Sequence, residues 1–352
     1  MTKAGRYAAL DCGTNTIRLY VADVADDGSV TPLTRQTEIV RLGQGVDETG
    51  ELNPEALART LAAATRFGSE LQMLGPDAVR FVATSATRDA RNRADFVAGI
   101  KAAIGVEPEV IAGEEEAELA FTGATAWLDP DQHPGPYLVV DLGGGSTELV
   151  LGEYEGSDSG LAGEAARHVA EAPHPVGGAI GLPKTPAHFF GAYSMDVGSV
   201  RLTERRLKSD PPTADEIAAA RADVRAMLAK AQAVVPIAQT RTIVGVAGTV
   251  TSLAAYHLGL TQFDRDRVNG LALPAAAVRA DCAAMLGMTK AKRLALGFMA
   301  PGRADIIGAG ALIWDEVIAA VAEAVEGSGR PAPEVVASDH DMLDGIVAKL
   351  AR

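Results

Sequence analysis

Cysteine is nearly absent from this chain, which has only Cys12 and Cys282 among its 352 residues. Two cysteines are too few for a disulfide framework or for a metal site built from thiolates. Long apolar runs are missing as well, because no segment approaches the ~18 residues that a membrane-spanning helix needs. The first residues lead directly into a predicted strand, and no signal-peptide pattern is visible. We therefore expect a cytoplasmic protein that does not associate with membranes.

Positive charge and aromatic side chains are also scarce. The formal net charge is −14, and aromatic residues make up 5% of the chain. A negative net charge gives no long-range attraction to a polyanion, so we expect no binding to nucleic acid. A phosphate ligand would need a local basic cluster, although a solvated helix face explains any single cluster equally well. The candidates are Arg88, Arg91 and Arg93; Arg201, Arg205, Arg206 and Lys208; and Lys290, Lys292 and Arg293.

The chain has enough apolar residues for ordinary globular cores. Its length suggests about two domains of roughly 150 residues each. Hydrophobic residues make up 47% of the chain and charged residues 22%, as in typical globular proteins. Because aromatics are few, we expect cores filled by Ala, Leu, Val and Ile.

The most informative segment is Tyr137–Gly152, in which three consecutive glycines (143–145) separate two apolar runs. This pattern predicts two antiparallel strands joined by a tight turn. We expect the glycines to adopt positive φ and to let a ligand approach the backbone N–H groups, which then form an anion site. Asp141 precedes the turn and Glu148 follows it, and carboxylates beside a phosphate imply Mg²⁺. The alternative is a plain hairpin whose glycines only turn the chain.

The same pattern occurs earlier, because residues 9–21 align with residues 139–151 at a constant offset of 130. Asp11 falls on Asp141 in this alignment, while Arg18 falls on Glu148 and is expected to face solvent. A repeat at this distance indicates two similar domains, since solenoid repeats have periods of roughly 20–50 residues. Two glycine turns, one per domain, could hold a phosphate chain from both sides of a cleft. This arrangement resembles the phosphate-binding site of the actin, sugar kinase and heat-shock chaperone ATPase superfamily.

A predicted strand at Ala78–Ala83 runs into Thr84-Ser85-Ala86-Thr87-Arg88. The hydroxyl groups are expected to cap the next helix, and the free N–H groups at its start could hold a phosphate together with Arg88. Capping alone gives no reason for the arginine. A third loop of this kind, with Gly248 and Thr249, follows a predicted strand at Thr242–Val246.

Another predicted helix begins at Gly113 and has Glu114, Glu115 and Glu116 in its first turn, with Glu118 close behind. Favourable interaction with the helix dipole accounts for acids at this position. A carboxylate aimed from there at a phosphate cleft would also suit a general base that orients water. Further along, Gly156–Pro175 is expected to be a surface insertion.

In their order and spacing, these segments resemble the exopolyphosphatase and guanosine pentaphosphate phosphohydrolase family of the actin-like superfamily, and the matches cover almost the whole chain. The resemblance implies an α/β protein made of two actin-like domains of ribonuclease H-like fold with a cleft between them. The expected division is residues 1–123 plus about 335–352 for domain I, and 124–334 for domain II. The length matches the short, two-domain members of the family.

The resemblance implies Mg²⁺-dependent hydrolysis that releases terminal orthophosphate from inorganic polyphosphate, with Mn²⁺ as an alternative ion. By position, the family's catalytic glutamate falls on Glu116. Its metal- and water-associated acids fall on Asp141 and Glu148, and its phosphate-binding arginine falls on Arg88. The implied phosphate-binding loops are Gly13, Thr14, Asn15 and Thr16; Gly143, Gly144, Gly145, Ser146 and Thr147; and Gly248 and Thr249.

One segment, Ser338–Gly345, departs from the family pattern. The common family form has Gly-Leu-Arg-Glu-Gly here, so Leu343 replaces an arginine and Asp344 replaces a glutamate. This loses one expected phosphate contact and leaves open the preference for chain length, or for polyphosphate over the nucleotide.

Three other functions share parts of this pattern. Hydrolysis of guanosine pentaphosphate uses the same site, so guanosine penta- or tetraphosphate is an alternative ligand. A small-molecule kinase of the same fold would need an adenosine pocket, and a polyphosphate or alarmone sensor would bind without turnover. The retained acids argue against a sensor. By analogy with the family we expect a homodimer.

Overall fold

The computed structural model describes residues 2–154, 180–182 and 186–352, so the expected insertion at Gly156–Pro175 lies outside the described residues. The described residues form two mixed sheets with helices between and around them, which confirms the predicted α/β class. None of the described helices is long and apolar enough to cross a bilayer.

The strands of the described residues are β1 Gly5–Cys12, β2 Thr16–Val24, β3 Ser29–Ile39, β4 Ala78–Ala83, β5 Glu109–Val110, β6 Tyr137–Leu142, β7 Thr147–Tyr154, β8 Ile180–Gly181, β9 Ala187–Met195, β10 Thr242–Val246, β11 Ala272–Pro274 and β12 Glu334–Ala337. The helices are α1 Val46–Thr49, α2 Pro54–Leu74, α3 Ser85–Asp89, α4 Arg93–Ile104, α5 Gly113–Thr125, α6 Ser199–Arg206, α7 Ala214–Gln232, α8 Ala247–His257, α9 Arg265–Val268, α10 Ala275–Gly287, α11 Lys290–Leu294, α12 Pro301–Ala304, α13 Ile307–Gly327 and α14 Met342–Leu350, with a short 3₁₀ helix at Ile237–Gln239.

The two sheets have the same core topology. The first sheet has the order β5-β4-β1-β2-β3-β8, and the second has the order β11-β12-β10-β6-β7-β9. In each, three antiparallel strands (β1, β2 and β3, or β6, β7 and β9) come first, and a strand parallel to the first of them follows (β4 or β10). The internal repeat is therefore a repeat of the fold, and both predicted glycine-turn hairpins are confirmed.

The helices and sheets form five layers, with a sheet on each side of the central helices α5 and α14 and further helices outside each sheet. Apolar side chains fill three cores among these layers. One core lies between the outer face of the first sheet and α2 and α4, and another lies between the outer face of the second sheet and α7, α8, α10 and α13. The middle core packs both inner sheet faces against α5 and α14. As the composition predicts, the side chains in these cores are mostly aliphatic.

The two central helices cross very closely, and each packs on the sheet of the other repeat. Helix α5 contacts β6, β7 and β9 of the second sheet, whereas α14 contacts β1 and β2 of the first. Gly123 on α5 and Gly345 on α14 make the crossing possible. A Cβ at Gly123 would overlap the Asp341 carbonyl oxygen, and a Cβ at Gly345 would overlap the Leu119 carbonyl oxygen.

The end of the chain divides between the two sheets. Strand β12 pairs with β10 in the second sheet, and α14 then packs on the first. The passage from one sheet to the other therefore lies between Ala337 and Met342. The division into residues 1–123 plus about 335–352 and residues 124–334 stays a prediction.

Candidate active site

A cavity of about 490 Å³ lies between the two sheets and is lined by both of them. Its size is that of a small-molecule site. Charged side chains of both signs line it, although the acids outnumber the arginines. These residues are Asp11, Arg18, Arg35, Glu116, Asp141, Arg303, Asp339 and Asp341.

The turns of the two hairpins meet at this cavity. The Gly13 N–H donates to the Thr16 carbonyl at 3.0 Å, and the Gly143 N–H donates to the Ser146 carbonyl at 3.1 Å. The two turns are therefore closed in the same way. The repeat seen in the sequence thus places one matching turn on each side of the cavity.

Close approach, and not positive φ, explains the glycines in these turns. None of Gly13 and Gly143–Gly145 has a positive φ, so that expectation was wrong. A Cβ at Gly145 would overlap the Thr14 hydroxyl and come within 2.6 Å of the Ser85 hydroxyl. The bare backbone of the second turn is needed because the first turn packs directly against it.

Three carboxylates approach the second turn. Asp141 is the penultimate residue of β6, Glu148 lies opposite it on β7, and Glu116 lies in the first turn of α5. All three are buried. The Ser194 hydroxyl donates to Glu148 Oε1 at 2.8 Å, while Glu148 Oε2 is buried without a hydrogen-bond partner among the described residues.

The pKa values of these acids are raised. Burial comes first as the cause for all three, because it disfavours the charged form. The negative charge of Glu148 comes next and raises the pKa of Glu116 and of Asp141 further. The opposing positive charges are Arg88 beside Glu116 and Arg18 beside Asp141. A group of raised carboxyl pKa values inside a cavity is typical of functional sites.

The first hairpin carries an arginine where the second carries Glu148. Arg18 lies opposite Asp11 in the strand register and donates from Nε to Asp11 Oδ2 at 2.8 Å. Its Nη1 also pairs with Asp341, at the start of α14. The expectation that Arg18 faces solvent was wrong, because the side chain is only 15% exposed.

Arg88 lies beside Glu116. Its Nη1 donates to the Ile111 carbonyl at 2.9 Å and lies 3.4 Å from Glu116 Oε2. The helix that carries it, α3, has Thr84 at its N-cap, but no side-chain hydrogen bond caps it. The capping predicted for these hydroxyl groups was therefore wrong. The Ser85 hydroxyl instead lies 2.9 Å from the Thr14 hydroxyl in the first turn.

Most of the predicted phosphate-binding residues line the cavity, and three, Gly145, Thr147 and Arg88, do not. The Thr147 hydroxyl donates to the Val197 carbonyl at 2.6 Å, and Gly145 packs against the first turn. Arg88 lies beside the lining residue Glu116, and Glu148 lies opposite the lining residue Asp141, but neither Arg88 nor Glu148 forms part of the cavity lining. The residues that line it are Gly13, Thr14, Asn15, Thr16, Gly143, Gly144, Ser146, Gly248 and Thr249.

Sequence reasoning missed Arg303 as a site residue. Its side chain lies over Gly248, where a Cβ would overlap the guanidinium group. Its Nη1 donates to the Ser252 hydroxyl at 2.9 Å, and it forms no ion pair within the described part of the chain. Burial lowers the pKa of Arg303, so a bound anion would compensate for the cost of burying its charge. The only signal in the sequence was its position in the short stretch Pro301-Gly302-Arg303.

Ala247, which precedes Gly248, is another unexpected feature of the cavity lining. It begins α8 with φ of 73°, a left-handed conformation that a residue with a Cβ rarely adopts. Backbone strain of this kind often marks functional sites. Here it precedes Gly248 and Thr249 at the edge of the cavity.

The predicted basic clusters outside this site have structural partners instead. Arg201 pairs with Asp89, and Arg205 lies 2.5 Å from Asp47. Helix α6 packs against the second turn, where the Val200 N–H donates to the Gly144 carbonyl. The two ion pairs join this helix to α3 and α1 on the side of the first sheet. Arg293 is buried and donates to three backbone carbonyl groups.

The carboxylates suit a hard divalent cation. Asp11 Oδ1 and Glu148 Oε2 are buried without partners among the described residues, and a cation would satisfy such oxygens. No group of three or more acidic, histidine or cysteine side chains in the described residues is close enough to surround an ion on its own. An ion bound here would therefore complete its shell with water or substrate phosphates.

Comparison with known proteins identifies the family. The model of the Ppx/GppA phosphatase family matches residues 20–330. Exopolyphosphatase 2 of Mycobacterium tuberculosis is 42% identical over 354 residues, which is 98% of each chain. A solved exopolyphosphatase-like protein shares 42% identity with a TM-score of 0.87 over 99% of both chains. An exopolyphosphatase from Cytophaga hutchinsonii has a TM-score of 0.76 at 22% identity, over 98% of this chain and 97% of its own.

The structural likenesses confirm the fold expected from the resemblance. The family match covers the second hairpin and α5, and the 42% identity extends over 98% of the chain. This chain therefore belongs to the Ppx/GppA phosphatase family.

Proposed function

We propose that this protein is an exopolyphosphatase, which hydrolyses the terminal phosphoanhydride bond of inorganic polyphosphate in the cavity and releases orthophosphate. The observation that carries the proposal is Glu116, a buried carboxylate whose pKa is raised and which lies beside two glycine turns and a cluster of acids and arginines. The relative from Mycobacterium tuberculosis, which bears the name exopolyphosphatase, supports this choice of substrate.

In the proposed mechanism, Glu116 accepts a proton from a water molecule as the water oxygen attacks the terminal phosphorus. The bond from that phosphorus to the bridging oxygen breaks, and the shortened chain leaves with the negative charge on this oxygen. Burial and the nearby carboxylates raise the pKa of Glu116, which makes it a stronger base than an exposed glutamate. Arg88, 3.4 Å from its Oε2, holds the carboxylate in place.

The other residues bind and orient the phosphate groups. The turns that contain Gly13 and Gly143 present backbone N–H groups, which stabilise charge on phosphate oxygens. Arg303 offers a buried guanidinium without an ion-pair partner among the described residues. We assign Mg²⁺, with Mn²⁺ as an alternative, to Asp141 and Glu148. When bound, the ion would neutralise phosphate charge beside these acids.

A second candidate activity is hydrolysis of guanosine pentaphosphate to the tetraphosphate. Part of the cavity wall is apolar, because Phe263, Phe298 and Ile306 are among its lining residues. A purine base could stack on such a wall, whereas an inorganic phosphate chain gains nothing from it. This wall favours a nucleotide as an alternative substrate of the same site.

The test is the rate of phosphate release from long-chain polyphosphate, guanosine pentaphosphate and ATP, each measured with Mg²⁺, with Mn²⁺ and with EDTA. We expect release from polyphosphate that depends on a divalent ion. Preference for the pentaphosphate would support the second candidate. Turnover of ATP alone, or binding without turnover of any of the three, would contradict both.

We also expect a cytoplasmic homodimer, and light scattering after size exclusion tests the dimer.

A further inference from the structure

Where α14 departs from the family pattern, a different arginine, from strand β3, lines the cavity. Leu343 stands where the family form has an arginine, and it is 1% exposed and packed in the middle core. On the facing strand β3, Arg35 lines the same cavity. The chain therefore has a guanidinium near this point even though α14 does not supply it.

Arg35 is held by contacts that leave one of its donors free. Its Nη2 lies 2.6 Å from Asp344 Oδ1 and its Nη1 lies 3.7 Å from Asp341 Oδ1. Its guanidinium carbon lies 4.1 Å from the centre of the Tyr20 ring. Its Nε is buried and has no hydrogen-bond partner among the described residues. Buried donors are nearly always paired, so the hydrogen bonds of Arg35 are incomplete with the partners that the described residues supply.

The strand register also places Arg35 farther from the first turn than Arg18, because Arg35 lies opposite Tyr20 and Arg18 lies opposite Thr37. Starting at the first turn, Asp11 binds Arg18, and Arg18 binds Asp341. Asp341 lies beside Arg35, which binds Asp344. Asp341 is thus shared by two arginines that line one cavity. A phosphate chain whose terminal group lies at the turns would reach Arg35 with a group farther along the chain.

We propose that Arg35 binds an inner phosphate of the polyphosphate chain and that Asp344 and Asp341 position its guanidinium for this contact. The planar group matches two phosphate oxygens, and Nη1, which lies beyond hydrogen-bond distance from Asp341 Oδ1 at 3.7 Å, supplies donors for them. Asp344 also forms a capping box with Asp341 at the start of α14. The helix therefore determines where the arginine of β3 lies. This inference rests on the proposed function, because it assigns part of the same substrate.

The test removes the pair without leaving a buried charge. In Arg35→Met/Asp344→Asn both partners become neutral, so the net charge is unchanged. We expect KM for long-chain polyphosphate to rise about 10-fold, with kcat within about twofold of wild type, because one charge-assisted contact to the substrate is lost. Binding of polyphosphate without a divalent ion, measured by calorimetry, should weaken by the same factor. The matched control is Arg66→Met/Glu38→Gln, which removes an ion pair between α2 and the same strand and should leave KM unchanged.

The inference is overturned if the folded double variant keeps both KM and the binding constant within about twofold of wild type. Should the double variant not fold, Arg35→Lys decides, because lysine can keep the pair with Asp344 but has only a point charge for the phosphate. We expect Arg35→Lys to raise KM about threefold, and an unchanged KM would reject the contact. If the wild-type protein does not hydrolyse polyphosphate, the proposed function itself fails, and calorimetry still shows whether Arg35 binds the chain.

Discussion

Glu116 and its neighbours on α5 show how burial distinguishes residues that are chemically alike. Glu116 is 6% exposed and lines the cavity, while the side chain of Glu115 is 34% exposed and pairs with Arg80 at 2.7 Å. We predict that Glu116→Gln lowers kcat by about 10²–10⁴, because the amide keeps the shape of the side chain but cannot accept the proton of water. Polyphosphate binding should persist. Steady-state phosphate release and calorimetry measure the two effects.

The neighbouring glutamates are the controls for this prediction. Glu114→Gln and Glu118→Gln should leave kcat unchanged, and Glu115→Gln should lower stability by at most about 1 kcal/mol, as for other partly exposed ion pairs. A loss of turnover in Glu115→Gln with normal turnover in Glu116→Gln would move the role of base to Glu115. Normal turnover in all four variants would leave the cluster with no role beyond the helix dipole.

The ionised carboxylate of Asp141 is predicted to lower the free energy of unfolding when no cation is bound. Burial, and then the charge of Glu148, raise the pKa of Asp141 above the value of an unfolded chain, whereas Arg18 lowers it. The folded state then binds a proton more readily than the unfolded state does. Between the ordinary carboxyl pKa of about 4 and the raised value, stability therefore falls as the pH rises, and it stays lower above that window.

Asp141→Asn should consequently raise the melting temperature of the metal-free protein by about 2–4 °C at neutral pH, with a smaller gain at about pH 5. Mg²⁺ should stabilise the wild type more than this variant, and activity should fall because the ion is held less well. Thermal unfolding with EDTA and with Mg²⁺ measures both differences. A variant that melts lower than wild type in EDTA at neutral pH would contradict the assignment, as would an unchanged Mg²⁺ titration of activity.

Sequence reasoning found the site residues that belong to repeated local patterns and missed those that depend on distant contacts. Asp141 and Glu148 follow from the hairpin pattern, since the register sets them opposite each other. Arg303 was missed because only the folded chain places it over Gly248. Arg18 has one partner opposite it in its own hairpin, Asp11, which its alignment with Glu148 did not indicate, and its second partner, Asp341, lies 323 residues away. A pattern within one hairpin cannot indicate such a partner.

Among the secondary structure elements, those with a clear pattern were predicted well. Helix α2 has apolar residues at helical spacing, with Asn53 and Pro54 marking its start, and the side chain of Asn53 caps it by accepting from two backbone N–H groups. Short elements carry less signal, since a strand of two residues such as Glu109–Val110 shows no periodicity. The crossing of α5 and α14 could not be predicted, because a glycine within a helix does not show which backbone approaches it.

The crossing itself can be tested with Gly345→Ala. The new methyl group would overlap the Leu119 carbonyl oxygen, so the helices must separate, at a cost of about 1–3 kcal/mol in unfolding free energy. Activity should fall as well, because α14 begins beside Asp341, which pairs with Arg18. Chemical denaturation and phosphate release measure these effects. Gly327→Ala is the control, since a Cβ there meets nothing within 4 Å and alanine should stabilise α13. Equal stability of the two variants would show that the crossing tolerates a methyl group.

At the scale of the whole molecule, the net charge of −14 opposes an approaching polyanion. The attractive groups are a few arginines buried in the cavity, where salt screens them less than it screens surface charge. We therefore predict that kcat/KM for long-chain polyphosphate rises when KCl increases from about 10 mM to about 100 mM at constant free Mg²⁺. Stopped-flow or steady-state assays measure this. A monotonic fall with salt, as proteins with basic surfaces show, would mean that surface lysines and arginines attract the chain.

The exchange of α5 and α14 between the sheets makes the molecule equivalent to a domain-swapped dimer fused into one chain. Each repeat supplies the helix that covers the inner face of the other repeat's sheet. A separated half would expose that face, and its own helix would have no sheet to cover. We therefore expect the two halves to fold and unfold cooperatively. For the same reason, a disturbance at one turn reaches the other through shared core packing as well as through the substrate.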